Sequence, residues 1–368
     1  MKKIGIIGIG KLGLCFALNL EKAAYKVVGI DVSNEYVNNL NNKIYSSPEP
    51  SVNEMLRESI SFFASTDIST IISEDIEDIF IMVATPSLPD GKYDHAQIEK
   101  VTNELIAFGE REKKIHLNIS CTTMPGYCNF LADKMRKYGY LVSYNPEFIA
   151  QGSIIHDQQF PDQILIGGAN EEAGDRIENI LLTMVRNNPT VCRMDRLSAE
   201  IAKLATNCFL TTKISFANAI GDLAIKSGAN GEKILNAVGA DNRIGNKYMK
   251  YGYGFGGPCF PRDNKALSFF AQSINYPLLI SEATDNVNNN HLEFQFEEYL
   301  SKLTINEPIE FEYVSYKKNS VSIENSQQLA LAVKLAKAGR RVIINDRPEV
   351  VEKVKELYPG LFDFSQNI

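Results

Sequence analysis

The chain runs to 368 residues, more than one ordinary hydrophobic core holds, so two or three domains are expected. Hydrophobic residues make up 44% and charged residues 23%, as in a globular protein, and the net charge of -7 argues against non-specific binding to nucleic acid. No basic block or long apolar run points to a membrane, and Gly5, Gly8, Gly10 and Gly13 break up the N-terminal apolar stretch with no cleavage site after it, so a cytoplasmic protein is expected.

From residue 4 to about 165, apolar strand-like runs (4–8, 27–31, 79–84, 115–120, 141–144, 164–167) alternate with helical stretches such as 12–23. This alternation predicts a parallel sheet with helices on both faces. From 198 to about 227 small and apolar residues recur every three or four positions, predicting a helix of about 45 Å that could bridge domains and support a dimer interface. Helical patterning returns at 230–238 and from 262 to about 303. A last unit follows, with strands at 310–316 and 341–345 around a helix at 326–338 that Gly339 stops. The domains expected are therefore 1–197, 198–303 and 304–368.

Gly8-Ile9-Gly10-Lys11-Leu12-Gly13 follows the first strand and opens the first helix. In such a fingerprint the first glycine permits the tight turn, the second lets backbone approach a pyrophosphate, and the third lets the helix pack closely. The helix N-terminus then receives the pyrophosphate charge. Asp31 ends the second strand 21 residues after Gly10, where its carboxylate can accept from ribose hydroxyls and would repel a 2′-phosphate. The expected cofactor is NAD, on an α/β, Rossmann-type doubly wound sheet.

The six cysteines (Cys15, Cys121, Cys128, Cys192, Cys208 and Cys259) form no CxxC pair and read as reduced thiols. His95, His116, His156 and His291 lie far apart, and no spacing suggests a metal site. Cys259 stands out. Glycines 254, 256 and 257 precede it and a proline-started helix follows at Pro261, a setting that lowers a thiol pKa and lets a substrate approach.

Together with the fingerprint, Ala84-Thr85-Pro86, Cys121-Thr122-Thr123-Met124-Pro125-Gly126, Asn145-Pro146-Glu147-Phe148, Ala199-Glu200-Ile201-Ala202-Lys203 with Asn207, Asp241-Asn242-Arg243-Ile244-Gly245 and the Cys259 segment through Asp263 appear in order. In these motifs the sequence resembles the UDP-glucose/GDP-mannose dehydrogenase family from residue 1 to about 290. The resemblance implies a four-electron oxidation of a sugar CH2OH to a carboxylate with two NAD per turnover, through a Cys259 thiohemiacetal and thioester. It makes Lys203 the oxyanion stabiliser, with Asn207 one turn along the helix as a second donor. Asp263 and Thr122 position water, Thr123 being one register slip away, and Glu147 is the base for thioester hydrolysis. It places Thr85, Thr122 and Arg262 with the fingerprint at the cofactor. Substrate contacts fall to Glu147, Phe148, Ile149, Ala150, Gln151, Lys203, Asn207, Tyr248, Gly252, Gly256 and Lys317. Arg243 reaches a partner subunit's site, which implies a homodimer.

Residues 145–155 resemble the UDP-glucose branch, making UDP-glucose the leading substrate, with GDP-mannose or another nucleotide sugar as the alternative. Lys11 stands where an aromatic residue is usual, Arg262 replaces a lysine, Gln151 a glutamate, and Gln163 interrupts a Pro-Asp-Arg pattern. Glu324 stands where the family has arginine, and the C-terminal α/β unit for the nucleotide sugar looks shortened. A two-electron β-hydroxyacid dehydrogenase would need no Cys259, and a catalytically degenerate sugar-nucleotide-binding protein would leave Cys259, Lys203, Asn207 and Asp263 unexplained.

Overall fold

The opening run Lys3–Ile7 forms β1, whose β-branched residues suit a strand buried on both faces. Ile4 and Ile6 join one core and Ile7 the opposite one, as a period of two requires. The computed structural model describes residues 1–74, 76–149, 152–304, 307–318 and 320–365. It divides into two units, Met1–Lys203 and Leu204–Ile368.

In the first unit β1 is followed by α1 (Lys11–Lys22), β2 (Lys26–Ile30), α2 (Asn34–Asn41), α3 (Val52–Glu58), β3 (Phe62–Ser65), α4 (Ser69–Ser73) and β4 (Asp78–Ile81). Then come α5 (Ala96–Ala107), β5 (Ile115–Ile119), α6 (Tyr127–Arg136), β6 (Tyr140–Tyr144), α7 (Ile154–Gln159), β7 (Gln163–Gly167), α8 (Glu171–Leu182) and β8 (Thr190–Met194). All eight strands form one sheet in the order β3-β2-β1-β4-β5-β6-β7-β8. The chain order reverses at β1, whose neighbours are β2 (Ile4 opposite Val27) and β4 (Ile4 opposite Asp78). Such a switch point opens a crevice at the carboxyl ends of the strands. The expected parallel sheet holds from β3 to β6. There it needs correction, because β7 pairs antiparallel with β6 at Tyr144 and Gly167, and β8 runs parallel to β7.

The long helix predicted from 198 is α9, Arg196–Ser227, about 48 Å at 1.5 Å per residue, and the division between the units falls within it. Gly221 is tolerated inside it because the Tyr251 ring lies against its bare Cα; a Cβ there would sit 1.9 Å from Tyr251 Cδ2. In the second unit follow α10 (Gly231–Gly239), α11 (Phe260–Ser273) and α12 (Leu279–Lys302). The single run expected from 262 to 303 is thus two helices, broken ahead of Pro277, whose ring cannot continue a helix. The chain ends in β9 (Ile309–Phe311), α13 (Gln327–Lys337), β10 (Val342–Ile344), α14 (Pro348–Leu357) and β11 (Asp363–Phe364). These strands form a parallel sheet ordered β11-β10-β9. The strand expected over 310–316 ends at Phe311. Side-chain oxygens of Ser33, Asn170, Asn230 and Ser326 cap α2, α8, α10 and α13. Among the described residues, no helix is long and apolar enough to cross a membrane.

Candidate active site

In the first unit the candidate residues follow the carboxyl ends of parallel strands: Gly8 after β1, Asp31 after β2, Thr85 after β4, Thr122 after β5 and Glu147 after β6. Gly8 has φ +93°, and a Cβ there would lie 2.8 Å from the Met82 carbonyl. A Cβ on Gly13 would come 2.1 Å from the Gly8 oxygen, so the first turn of α1 closes on the loop only with glycine. Gly10, the N-cap of α1, has nothing within 4 Å of its Cβ position and leaves its backbone open to a ligand. This bare, exposed helix start fits a dinucleotide pyrophosphate. Lys11 is exposed and Leu12 half-buried. Ile9 is fully buried; its side chain is core, and its carbonyl accepts from the Tyr36 hydroxyl at 2.7 Å. Asp31 Oδ1 accepts from the Ser33 amide.

Thr85 Oγ1 donates to the carbonyl of Thr122 at 2.8 Å, tying the β4 and β5 ends together. The adjacent threonines differ: Thr122 is half-buried, whereas Thr123 is fully buried and donates to Glu200 Oε1 at 2.8 Å. On α9, buried Lys203 donates from Nζ to the Glu147 carbonyl at 2.6 Å and lies 4.2 Å over the Phe148 ring. Burial pushes the Glu147 carboxyl up to about 7, against the pull of the Lys203 charge and a hydrogen bond with Gln158. Phe148 and Ile149 are half-buried. Ala150 and Gln151 lie outside the described residues.

In the second unit Cys259 is the exposed N-cap of α11, with Pro261 in the first turn as the sequence pattern required. That end of a helix favours an anion. Asp263, 1% exposed, donates its amide to the Cys259 carbonyl at 2.8 Å, and its Oδ2 accepts from Asn207 Nδ2 at 2.6 Å. Arg262 is half-buried on the same turn. Gly256 and Gly257 let a second loop close over the cysteine segment. A Cβ on Gly256 would lie 2.2 Å from the Asn325 carbonyl, Gly257 (φ +83°) packs against the Tyr316 ring, and the Gly257 amide donates to the Glu324 carbonyl at 2.9 Å. Lys317, in that loop, is half-buried.

The Gly252 carbonyl accepts from His291 Nε2 at 2.7 Å and from Gln295, while His291 Nδ1 faces Asp222 at 2.8 Å. Sequence reasoning gave His291 no role; only the fold brings α9, α12 and this loop together. Tyr248 is 45% exposed, with φ +65°. The Arg243 side chain is 89% exposed and pairs with Asp241. Glu200, to which sequence reasoning assigned no role, lies one turn before Lys203 on the same helix and is fully buried.

The family model described as the NAD binding domain of the UDP-glucose/GDP-mannose dehydrogenase family matches residues 2–185, half of the chain, and the family's central domain matches residues 197–290. The chain belongs to the UDP-glucose/GDP-mannose dehydrogenase family. It is an NAD-dependent nucleotide-sugar dehydrogenase. A UDP-glucose 6-dehydrogenase of Bacillus subtilis is 29% identical over 99% of the chain and 84% of that protein. The structure of a UDP-glucose dehydrogenase from the archaeon Pyrobaculum islandicum superposes with a TM-score of 0.87 at 28% identity, covering 100% of this chain and 86% of that one. A GDP-mannose dehydrogenase from Pseudomonas aeruginosa, solved as a ternary complex, gives a TM-score of 0.61 at 25% identity, over 99% and 88% of the two chains.

Proposed function

We propose that this family member is a UDP-glucose 6-dehydrogenase that oxidises the sugar CH2OH to a carboxylate through a thioester on Cys259. The observation that carries the reading is the Asn207–Asp263 hydrogen bond one turn into α11, behind a solvent-exposed cysteine at that helix's N-cap. NAD, when bound, takes up one hydride in each of two oxidations.

The first oxidation turns the alcohol into an aldehyde and releases a proton. The Cys259 thiolate adds to the aldehyde carbon, which becomes tetrahedral, and the oxygen gains a proton. Loss of the second hydride and that proton leaves a thioester; water then releases the acid and returns the thiol. The Lys203 ammonium and the Asn207 amide stabilise the oxygen that carries negative charge in the tetrahedral states. Glu147, pushed up to about 7, is matched to take a proton from water near neutral pH, with Thr122 and Asp263 positioning that water. Asp31 favours NAD by repelling a 2′-phosphate. Cys259, Lys203, Asn207 and Asp263 together favour this chemistry over a two-electron dehydrogenase or a degenerate binding protein.

A homodimer is the proposed working unit. Phe209, Phe216 and Leu223 are 64%, 48% and 62% exposed on α9, and their seven-residue spacing lines them up along one helix face. None of the six cysteines is in a disulfide, which suits a reducing cytoplasm.

The deciding experiment counts NADH per sugar consumed with UDP-glucose, beside GDP-mannose in a parallel reaction, for the wild type and Cys259→Ser. Two NADH per UDP-glucose with uronate formed, and no uronate from the variant, is the expected result. One NADH per sugar sinks the four-electron reading, and turnover of GDP-mannose alone moves the substrate to that sugar.

A further inference from the structure

Glu200 lies on the second turn of α9 with no exposed surface. A carboxylate buried so deeply is tolerated only where its oxygens are fully engaged. Oε1 accepts from the Thr123 hydroxyl at 2.8 Å and the Cys128 amide at 2.9 Å; Oε2 accepts from the Gly126 amide at 2.6 Å. Those amides belong to the start of α6, whose N-cap is Gly126 at φ +93°. A glycine has no side chain with which to cap a helix. Glu200 supplies, from another helix, the anionic acceptor that α6 lacks.

The same turn is fixed from its other side. The Met124 amide donates to His95 Nε2 at 3.2 Å, and the His95 ring stacks on Tyr127 with centroids 3.7 Å apart. With Thr123 turned inward to Glu200 and the Thr122 carbonyl held by Thr85, the Thr122 side chain is the one left half-exposed. Three residues beyond Glu200 on α9, Lys203 is bonded to the Glu147 carbonyl.

We propose that Glu200 is a positioning residue: it clamps the Thr122 turn to the helical turn of α9 that carries Lys203, and so fixes Thr122 relative to Lys203 and Glu147. This assignment rests on the roles given above to Thr122 and Glu147 in releasing the acid. Geometry makes the carboxylate irreplaceable by its own amide. In Glu200→Gln one of the two side-chain positions becomes an NH2 donor, facing either the Gly126 amide or the Cys128 amide. Either way one N–H at the start of α6 loses its acceptor.

The test uses the full chain and Glu200→Gln in two arms. In the first, amide hydrogen exchange is followed without ligand. The clamp predicts exchange at least about tenfold faster over residues 124–128, with β5 and the last turn of α6 unchanged. In the second, steady-state kinetics with nucleotide sugar and NAD should show kcat down at least about tenfold with the KM for sugar falling in step, so that kcat/KM stays within about twofold. Intact mass should then reveal a sugar-nucleotide adduct on Cys259, because release of the acid has slowed. Unchanged exchange at 124–128, exchange raised evenly through residues 1–203, or local loosening with an unaltered kcat overturns the proposal. Should Glu200→Gln not fold, Thr123→Val removes one of the three bonds and is expected to move both readouts the same way by a smaller factor; no movement in either counts against the clamp. A wild type that forms no NADH with any nucleotide sugar overturns the assigned reaction instead, and the exchange arm then decides the clamp alone.

Discussion

Replacing Glu147 by glutamine is a perturbation whose size follows directly from the site. Burial holds the folded-state carboxyl at about 7, against an ordinary value of 4.5. Between those values the folded protein keeps a proton that the unfolded chain has already lost. Each pH unit across the interval then removes about 1.4 kcal/mol of stability, roughly 3 kcal/mol in all. The sign is that of a raised pKa: the contribution is complete below about pH 4.5, is lost as pH rises through about 7, and stays flat above. Glu147→Gln carries no such charge, so its stability relative to wild type should climb by roughly 3 kcal/mol between pH 4.5 and 8. Urea unfolding at pH 5, 6, 7 and 8 measures this, with equal m-values confirming that the same surface is exposed. The same variant should lose the acidic limb near pH 7 from its rate profile and turn over at least about a hundredfold more slowly. A stability difference independent of pH, or one that shrinks as pH rises, would refute the reasoning that burial and not Lys203 governs this carboxyl.

In Gly13→Ala the new methyl would meet the Gly8 oxygen at 2.1 Å, which neither backbone segment can yield without opening the cofactor turn. NAD binding measured by calorimetry should weaken by at least about tenfold, roughly 1.4 kcal/mol; unaltered affinity would show that the turn is not the pyrophosphate site. Phe216→Glu puts a charge in the middle of the exposed α9 stripe and should shift sedimentation from dimer towards monomer at micromolar concentration, while a dimer that persists would place the interface elsewhere.

The cofactor turn was legible in sequence because each of its glycines answers to a backbone constraint, φ +93° at Gly8 and a 2.1 Å approach at Gly13. The start of α11 was legible for a similar reason, since Pro261 marks a first helical turn. Strand direction was not. The run Gln163–Gly167 is equally apolar whichever way it pairs, so nothing local announced the antiparallel step at β7. β8 escaped notice because its residues are exposed or half-buried and make no clean alternation. The break between α11 and α12 could have been found, since Pro277 stood in plain view. Partners were least legible. Asn207 and Asp263 meet across 56 residues of sequence, and the donors to Glu200 lie 72 to 77 residues away. Helical periodicity alone presents Glu200 as one more polar residue, because it carries no information about backbone amides at the start of another helix.

In the proposed reaction the two glutamates connected to the Lys203 turn have different tasks, one of position and one of proton transfer. Glu200 is enclosed, and burial raises its carboxyl pKa against the pull of its hydrogen bonds; three donors at the start of α6 tie its oxygens to a single geometry. Glu147 is half-buried, with burial the largest influence on its carboxyl; Lys203 gives a hydrogen bond to the Glu147 carbonyl and acts on the carboxyl as a charge through space. A direct ammonium–carboxylate bond would hold that carboxyl ionised far below neutrality and leave it too weak a base to take a proton from water. By binding the backbone instead, Lys203 fixes the loop while leaving the carboxyl near 7, where it can both take up and release a proton. Fixed position and adjustable protonation are thus separated: Glu200 and the lysine's hydrogen bond supply the first, and the partial burial of Glu147 the second.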